Sequence, residues 1–262
     1  MLIVDVHAHM DLEDFSDVDR SSIIEEFIKL GGKAIVSNGV NAKSNRKIIE
    51  LSKKYPIIKP ALGIYPTHCL EMVESGKTKD LDLEVSFIED CVKKKIAIAI
   101  GEVGLEYKEI ELTEDRKKIM KESLLKFVNI SKKYNVPIIL HSRGAELELI
   151  EFLEEQGMKN KKVIMHCFCG RKHHVKRVIE NGWFFSIPCT VTKLLQFQEI
   201  ILNAPISQIL TETDAPYLAP IRGDRNDSRN IVYSINKIAE LKKMNEEEVA
   251  NIIFNNYQRL FL

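Results

Sequence analysis

The sequence predicts a (β/α)8 barrel built as a single domain over residues 1–262, and three observations carry that expectation. Eight short, nearly continuous apolar runs alternate with segments of helical period, the pattern of parallel strands covered on both faces by helices. The length, 262 residues, is that of one such barrel. No Gly-x-Gly-x-x-Gly follows the first apolar run, which disfavours a doubly wound open sheet.

Taken in order, Leu2 to His7 reads as the first strand, so that His7 and His9 point the same way at its C-terminal end. An acidic loop from Asp11 to Asp19 leads to an amphipathic helix from Ser21 to Leu30, with Ser21 or Ser22 as N-cap and Gly31-Gly32 as its stop. Lys33 to Ser37 is a buried strand, Lys43 to Lys54 a helix halted at Tyr55-Pro56, and Ile57 to Leu62 the third strand. Leu81 to Lys95 is helical, Ile96 to Ile100 the fourth strand, and Thr113 to Tyr134 a long helix opened by Thr-x-Asp. Pro137 to Leu140, Val163 to Met165, Trp183 to Ile187 and Gln208 to Thr211 complete the strands. Helices at Ala145 to Gln156 and Lys172 to Asn181 separate them, and Ile231 to Lys242 and Glu246 to Leu260 close the chain, the last capped by Asn245.

With 45% hydrophobic and 29% charged residues the composition is that of a globular protein. No apolar window is long enough for a membrane span, and Leu2-Ile3-Val4 is too short for a signal-peptide core, so a cytoplasmic protein without membrane contact is expected. Five cysteines suit a reducing compartment. Lys+Arg and Asp+Glu balance at 38 each. This removes a basic domain as the basis for nucleic-acid binding, so any such contact must be local.

Reactive side chains of such a barrel collect where strands end. The strand ends here offer His7 and His9, Glu102, His141, His166 and Asp214, using four of only seven histidines. Taken singly, His7 and His9 read as a surface pair at a strand end, Glu102 as a cap or ion-paired glutamate, His141 and His166 as hydrogen-bonded core histidines and Asp214 as a turn initiator. Together, four imidazoles and two carboxylates at one barrel mouth are costly to desolvate without a cation. The set suits two divalent ions bridged by a carboxylate, with Glu102 as the bridge and Asp214, arriving from the far side, as metal ligand and proton acceptor for a metal-activated water. Imidazole with carboxylate accommodates zinc, manganese, nickel or iron, and magnesium less readily. Zinc is the expected bound ion, with magnesium or manganese as possible activating ions.

Five strings then resemble the TatD family of metal-dependent hydrolases, in the right order along nearly the whole chain: Asp5-Val6-His7-Ala8-His9, Gly101-Glu102-Val103-Gly104-Leu105-Glu106-Tyr107, His141-Ser142-Arg143, His166-Cys167-Phe168-Cys169-Gly170 and Glu212-Thr213-Asp214-Ala215-Pro216-Tyr217-Leu218. The ending Asn256 to Phe261 is similar as well. The resemblance implies an amidohydrolase-superfamily TIM barrel and phosphodiester hydrolysis on DNA, including 3′ to 5′ exonuclease action. It also implies that His7, His9 and Asp214 hold one metal and His141 and His166 the other, with Glu102 bridging. Two loops depart from the family pattern. Gly-x-His-Pro-His becomes Gly63-Ile64-Tyr65-Pro66-Thr67-His68, and Arg-Asn-Glu-Pro becomes Arg225-Asn226-Asp227-Ser228.

Substrate contacts are expected from Arg143, a fork for phosphate, and from His68 and Tyr65 in a loop at the barrel top. Lys172 to Arg177 reads as an ordinary charged helix face, and Lys93 to Lys95 and Lys159 to Lys162 fall on the opposite rim. Phe185 and Trp183 read as core, and Cys167, Cys169 and Cys189 as small buried residues. The leading expectation is a phosphodiesterase or deoxyribonuclease acting on DNA or another phosphodiester, with no obligate protein partner. The alternatives are an amidohydrolase cleaving an amide or ester with the same metals, and a non-catalytic binding barrel.

Overall fold

A computed structural model describes residues 1–262. Eight strands, β1 (Ile3–Ala8), β2 (Gly32–Asn38), β3 (Ile58–Leu62), β4 (Ala99–Glu106), β5 (Ile138–Arg143), β6 (Val163–His166), β7 (Phe184–Ile187) and β8 (Ile209–Thr211), pair in sequence order. Each successive pair is parallel. The seam between β1 and β8 is tied by the Thr211 hydroxyl donating to the Val4 carbonyl (2.9 Å), Asp214 N–H to His7 O (2.8 Å) and His9 N–H to Ala215 O (2.7 Å). The sheet is thus a (β/α)8 barrel. Asp214 therefore reaches the mouth from the strand beside His7, and not from the far side: a closed barrel makes the last strand a neighbour of the first.

Ten helices surround it: α1 (Asp17–Lys29), α2 (Ala42–Lys54), α3 (Pro66–Glu74), α4 (Thr78–Lys93), α5 (Glu114–Tyr134), α6 (Glu146–Glu155), α7 (Lys172–Glu180), α8 (Leu195–Asn203), α9 (Ile231–Lys242) and α10 (Glu246–Phe261). No helix is long and apolar enough to cross a membrane. The apolar core is one contiguous cluster of 72 buried residues, with Trp183 and Phe185 inside it as expected. Trp183 satisfies its indole N–H on the Met158 carbonyl at 2.9 Å.

Several boundaries differ from expectation for identifiable reasons. α1 begins four residues before Ser21, because Ser16 and Asp19 form a reciprocal capping box that turns the end of the acidic loop into the first helical turn. Accordingly, Ser16→Ala should cost about 1 kcal/mol in urea unfolding, while Ser21→Ala should be close to neutral. Equal effects would return the cap to Ser21. Two helices escaped the sequence reading. α3 opens with Pro66 at its first position and has no side-chain cap, so only the proline marks its start. α8 follows a 3-10 turn at Cys189–Thr192 and leaves Leu195 and Leu202 exposed, which blurs its period. Tyr65 is consequently the N-cap residue of α3 and not part of a free loop.

α4 likewise starts at Thr78, ahead of Leu81. The fourth strand lies later than Ile96, because Ile96 and Ala97 N–H groups still bond the Cys91 carbonyl at the end of α4. It then runs through Glu102 to Glu106, pairing Val103 to Glu106 with Leu140 to Arg143. Glu102 thus sits within a strand and not beyond its end. Cys189 is buried, but Cys167 is only partly so and Cys169 is exposed, because both lie on the loop after β6.

Candidate metal centre

His7 and His9 leave the end of β1 on one face, and the seam bonds above fix their backbone. Asp5, two residues earlier on that face, is fully buried and accepts from Thr213 Oγ1 (2.6 Å), Thr213 N–H (3.0 Å) and Ser228 Oγ (2.7 Å). Burial pushes its carboxyl up to about 7 despite those bonds. Asp5 thus locks β1 to the segment carrying Asp214.

The donor atoms then meet. His7 Nε2 lies 3.3 Å from His9 Nε2, 3.4 Å from Glu102 Oε2 and 3.4 Å from Asp214 Oδ1, while His9 Nε2 lies 3.5 Å from Glu102 Oε2 and 3.4 Å from Asp214 Oδ1. Hydrogen-bonded N–H···O pairs would sit near 2.7–3.2 Å. Four ligands placed tetrahedrally at zinc-like bond lengths are roughly 3.3–3.6 Å apart, so the spacing fits a cation at their centre. His9 Nδ1 donates to the Asn38 carbonyl at 3.0 Å, so Nε2 is the nitrogen turned to the cluster and gives a ligand lone pair there once its proton leaves.

The other oxygen of Glu102 faces a second group. Oε1 is 3.0 Å from His141 Nδ1 and 3.9 Å from His166 Nε2. His166 Nδ1 is bonded to Glu212 Oε2 (2.9 Å), and Glu212 is itself held by Ser186 Oγ and by Cys167 N–H (3.0 Å). His141 Nε2 is bonded to Glu106 Oε2 (2.9 Å) and lies 3.1 Å from the Tyr65 hydroxyl. These carboxylates fix ring orientation and tautomer, the arrangement typical around metal-bound histidines. Glu106 and Glu212 were not picked out from the sequence, although Glu106 lies four residues after Glu102 on the same strand and so on the same face.

Burial lowers every imidazole here, yet the facing carboxylates prevail at three of them. His9, facing the carboxylates of Asp214 and Glu102, rises to about 9; His141, between Glu102 and Glu106, to about 9; and His166, against Glu212, to about 10. His7, buried and stacked on His166 with ring centroids 3.6 Å apart, is lowered. Burial would raise Glu102, but contacts from His141 and His7 hold it well below the usual carboxylate range.

The metal-free cluster therefore takes its positive charge from protons. Three raised folded-state values mean that the stabilisation they confer is complete below the unfolded value of about 6.5 and is lost as pH climbs through about 9 to 10. A divalent ion must displace those protons, so its affinity should rise from pH 6 to pH 9. Titration calorimetry at pH 7 in buffers of different ionisation enthalpy should register proton release, and an enthalpy independent of buffer would contradict this.

Above the cluster opens a cavity of about 550 Å³. Tyr65, His68 and Arg143, the three expected substrate contacts, all line it. Their availability differs: Arg143 is paired with Glu109, the Tyr65 hydroxyl reaches Glu106 (3.3 Å) as well as His141, and His68 Nδ1 donates to the Val40 carbonyl at 2.8 Å. Asp227, in the departing loop, is clamped by Arg229 at 2.7–2.8 Å and does not line the cavity. The charged run from Lys172 begins α7, with Lys172 and His173 exposed but His174 buried.

Comparison with known proteins places these features in context. The family model described as TatD related DNase matches residues 4–262. The chain is 34% identical over 263 residues to a human protein named deoxyribonuclease TATDN3, covering 99% of this chain and 94% of that one. It is 30% identical to an uncharacterized metal-dependent hydrolase, YabD, of Bacillus subtilis, covering 99% of each. In three dimensions it resembles the Escherichia coli TatD homologue YJJV with a TM-score of 0.84 at 23% identity, over 99% of this chain and 97% of that one. At that identity the likeness bears on the fold alone.

Proposed function

Because the chain belongs to the TatD family of metal-dependent hydrolases, we propose that its barrel mouth hydrolyses phosphodiester bonds of DNA from the 3′ end, in one domain spanning residues 1–262, with two divalent ions bound. The observation that carries this reading is Glu102, whose two oxygens face separate imidazole pairs. His7, His9 and Asp214 would hold one ion, His141 and His166 the other, and Glu102 both. When bound, the ions supply Lewis acidity and positive charge for the oxygen that becomes negative.

The side chains do the rest. Asp214, more open to the cavity than Glu102, is placed to take the proton of the attacking water through its carboxylate. Glu212 and Glu106 keep His166 and His141 oriented through the reaction. His68 and Tyr65 bound the space for the phosphate, and Arg143 offers its fork there by exchanging Glu109 for a phosphate oxygen. The human relative's name supports DNA as the substrate.

The test is a panel of single-stranded DNA, RNA, a small phosphodiester and an acyl amide, assayed with protein as purified, after chelation, and after return of zinc, manganese or magnesium. Cleavage of DNA that chelation abolishes and metal restores is expected. Turnover of the amide alone would replace the reading with an amidohydrolase, and turnover of nothing with a binding barrel.

A further inference from the structure

We propose that Tyr217, with Leu218 and Leu12 beside it, forms a nucleobase subsite next to the metal centre, an inference that rests on the deoxyribonuclease reading. All three line the same 550 Å³ cavity as Glu102 and Asp214. That volume accommodates a nucleotide.

The chain treats this aromatic unlike its others in the barrel. Trp183 and Phe185 are fully buried, whereas Tyr217 is 56% exposed, an aromatic face left in water at the lip of a reactive cavity. Its position is not that of a free loop residue. Tyr217 N–H donates to the Asp214 carbonyl at 2.8 Å, so the turn that presents Asp214 also fixes the ring three residues on. The ring centroid stands 6.2 Å from that of His9 at 67°, an edge-type contact that places the exposed ring beside a ligand histidine.

The same cavity also has a polar lining, from His68, Arg143 and Glu109. One cavity thus holds aromatic and aliphatic side chains for a base, polar side chains for a sugar-phosphate and the metal-ligating cluster for the scissile phosphate, the three kinds of contact a nucleotide needs. Tyr65, the stacking candidate from the sequence, is less suited: its ring packs on His141 with centroids 4.9 Å apart and its hydroxyl is engaged there. Stacking on a tyrosine is tolerant of base identity, so the subsite distinguishes the presence of a base more than which base it is.

The experiment compares kcat/KM for a single-stranded oligonucleotide and for the same oligonucleotide with an abasic nucleotide flanking the scissile bond, in wild type, Tyr217→Ala and Tyr217→Trp. The ratio of the two substrates should fall roughly 5- to 150-fold in Tyr217→Ala and recover in Tyr217→Trp. If wild type cleaves both and the ratio does not move in Tyr217→Ala, the subsite is refuted and the nuclease reading stands. If wild type cleaves neither oligonucleotide, the nuclease reading fails and takes the subsite with it.

Discussion

Asp214→Asn should lower kcat for phosphodiester hydrolysis by about 10²- to 10⁴-fold, or about 3–5 kcal/mol of barrel-mouth catalysis, at saturating metal. The substitution is nearly isosteric, and the backbone tolerates it. Asp214 has φ +57, in the left-handed region where asparagine is among the few residues accommodated without strain. The seam bond from its N–H to His7 O is untouched. What changes is chemistry: the amide retains one oxygen able to ligate but no longer accepts a proton. Raising metal from limiting to saturating separates the two roles. Recovery of wild-type kcat at high metal would make Asp214 a ligand only, whereas a loss that metal does not relieve identifies the proton acceptor. The same variant with unchanged kcat at every metal level would remove Asp214 from the mechanism.

The barrel was legible because buried parallel strands leave a coarse trace, runs such as Ile138 to Leu140 that are apolar on both faces and need no pairing information to find. The six converging side chains were legible for a related reason: the fold sends every strand's C-terminal end to one mouth, so knowing the strands nearly fixes the donors. What escaped was set by contacts between segments distant in sequence. Glu212 became recognisable only once β6 and β7 brought His166 and Ser186 against it. Tyr65 looked like loop because the Tyr-Pro start of α3 is read from capping geometry more than from apolar period. Arg143 looked like a free fork because its partner Glu109 lies 34 residues away in sequence. Tyr217 passed unremarked because exposure has no signature in a string of residue types.

On the proposed two-ion reading, Glu102→Gln should reduce bound metal from two ions per chain to one or none and abolish hydrolysis. The carboxylate has one oxygen toward His7 and His9 and the other toward His141 and His166, so it is the one side chain that serves both groups. Glutamine fills the same volume, but one end becomes an NH2 that can only donate. Neither pair keeps an anionic ligand: whichever way the amide turns, one pair faces a neutral carbonyl oxygen and the other meets a donor. The His141–His166 side is the more exposed to this loss, since His166 Nε2 already stands 3.9 Å from Glu102 and Asp214 offers a second carboxylate only to His7 and His9. Elemental analysis reads the stoichiometry directly, and thermal unfolding reads it independently. An ion present at a hundred times its dissociation constant stabilises by about 2.7 kcal/mol, equivalent to roughly 5–10 °C in a chain of this size. Chelation should therefore lower the melting temperature of wild type by more than that of Glu102→Gln. Equal shifts, with two ions retained in the variant, would show that the histidine pairs bind metal without a shared carboxylate, and the two-ion reading would have to be rebuilt around Asp214 alone.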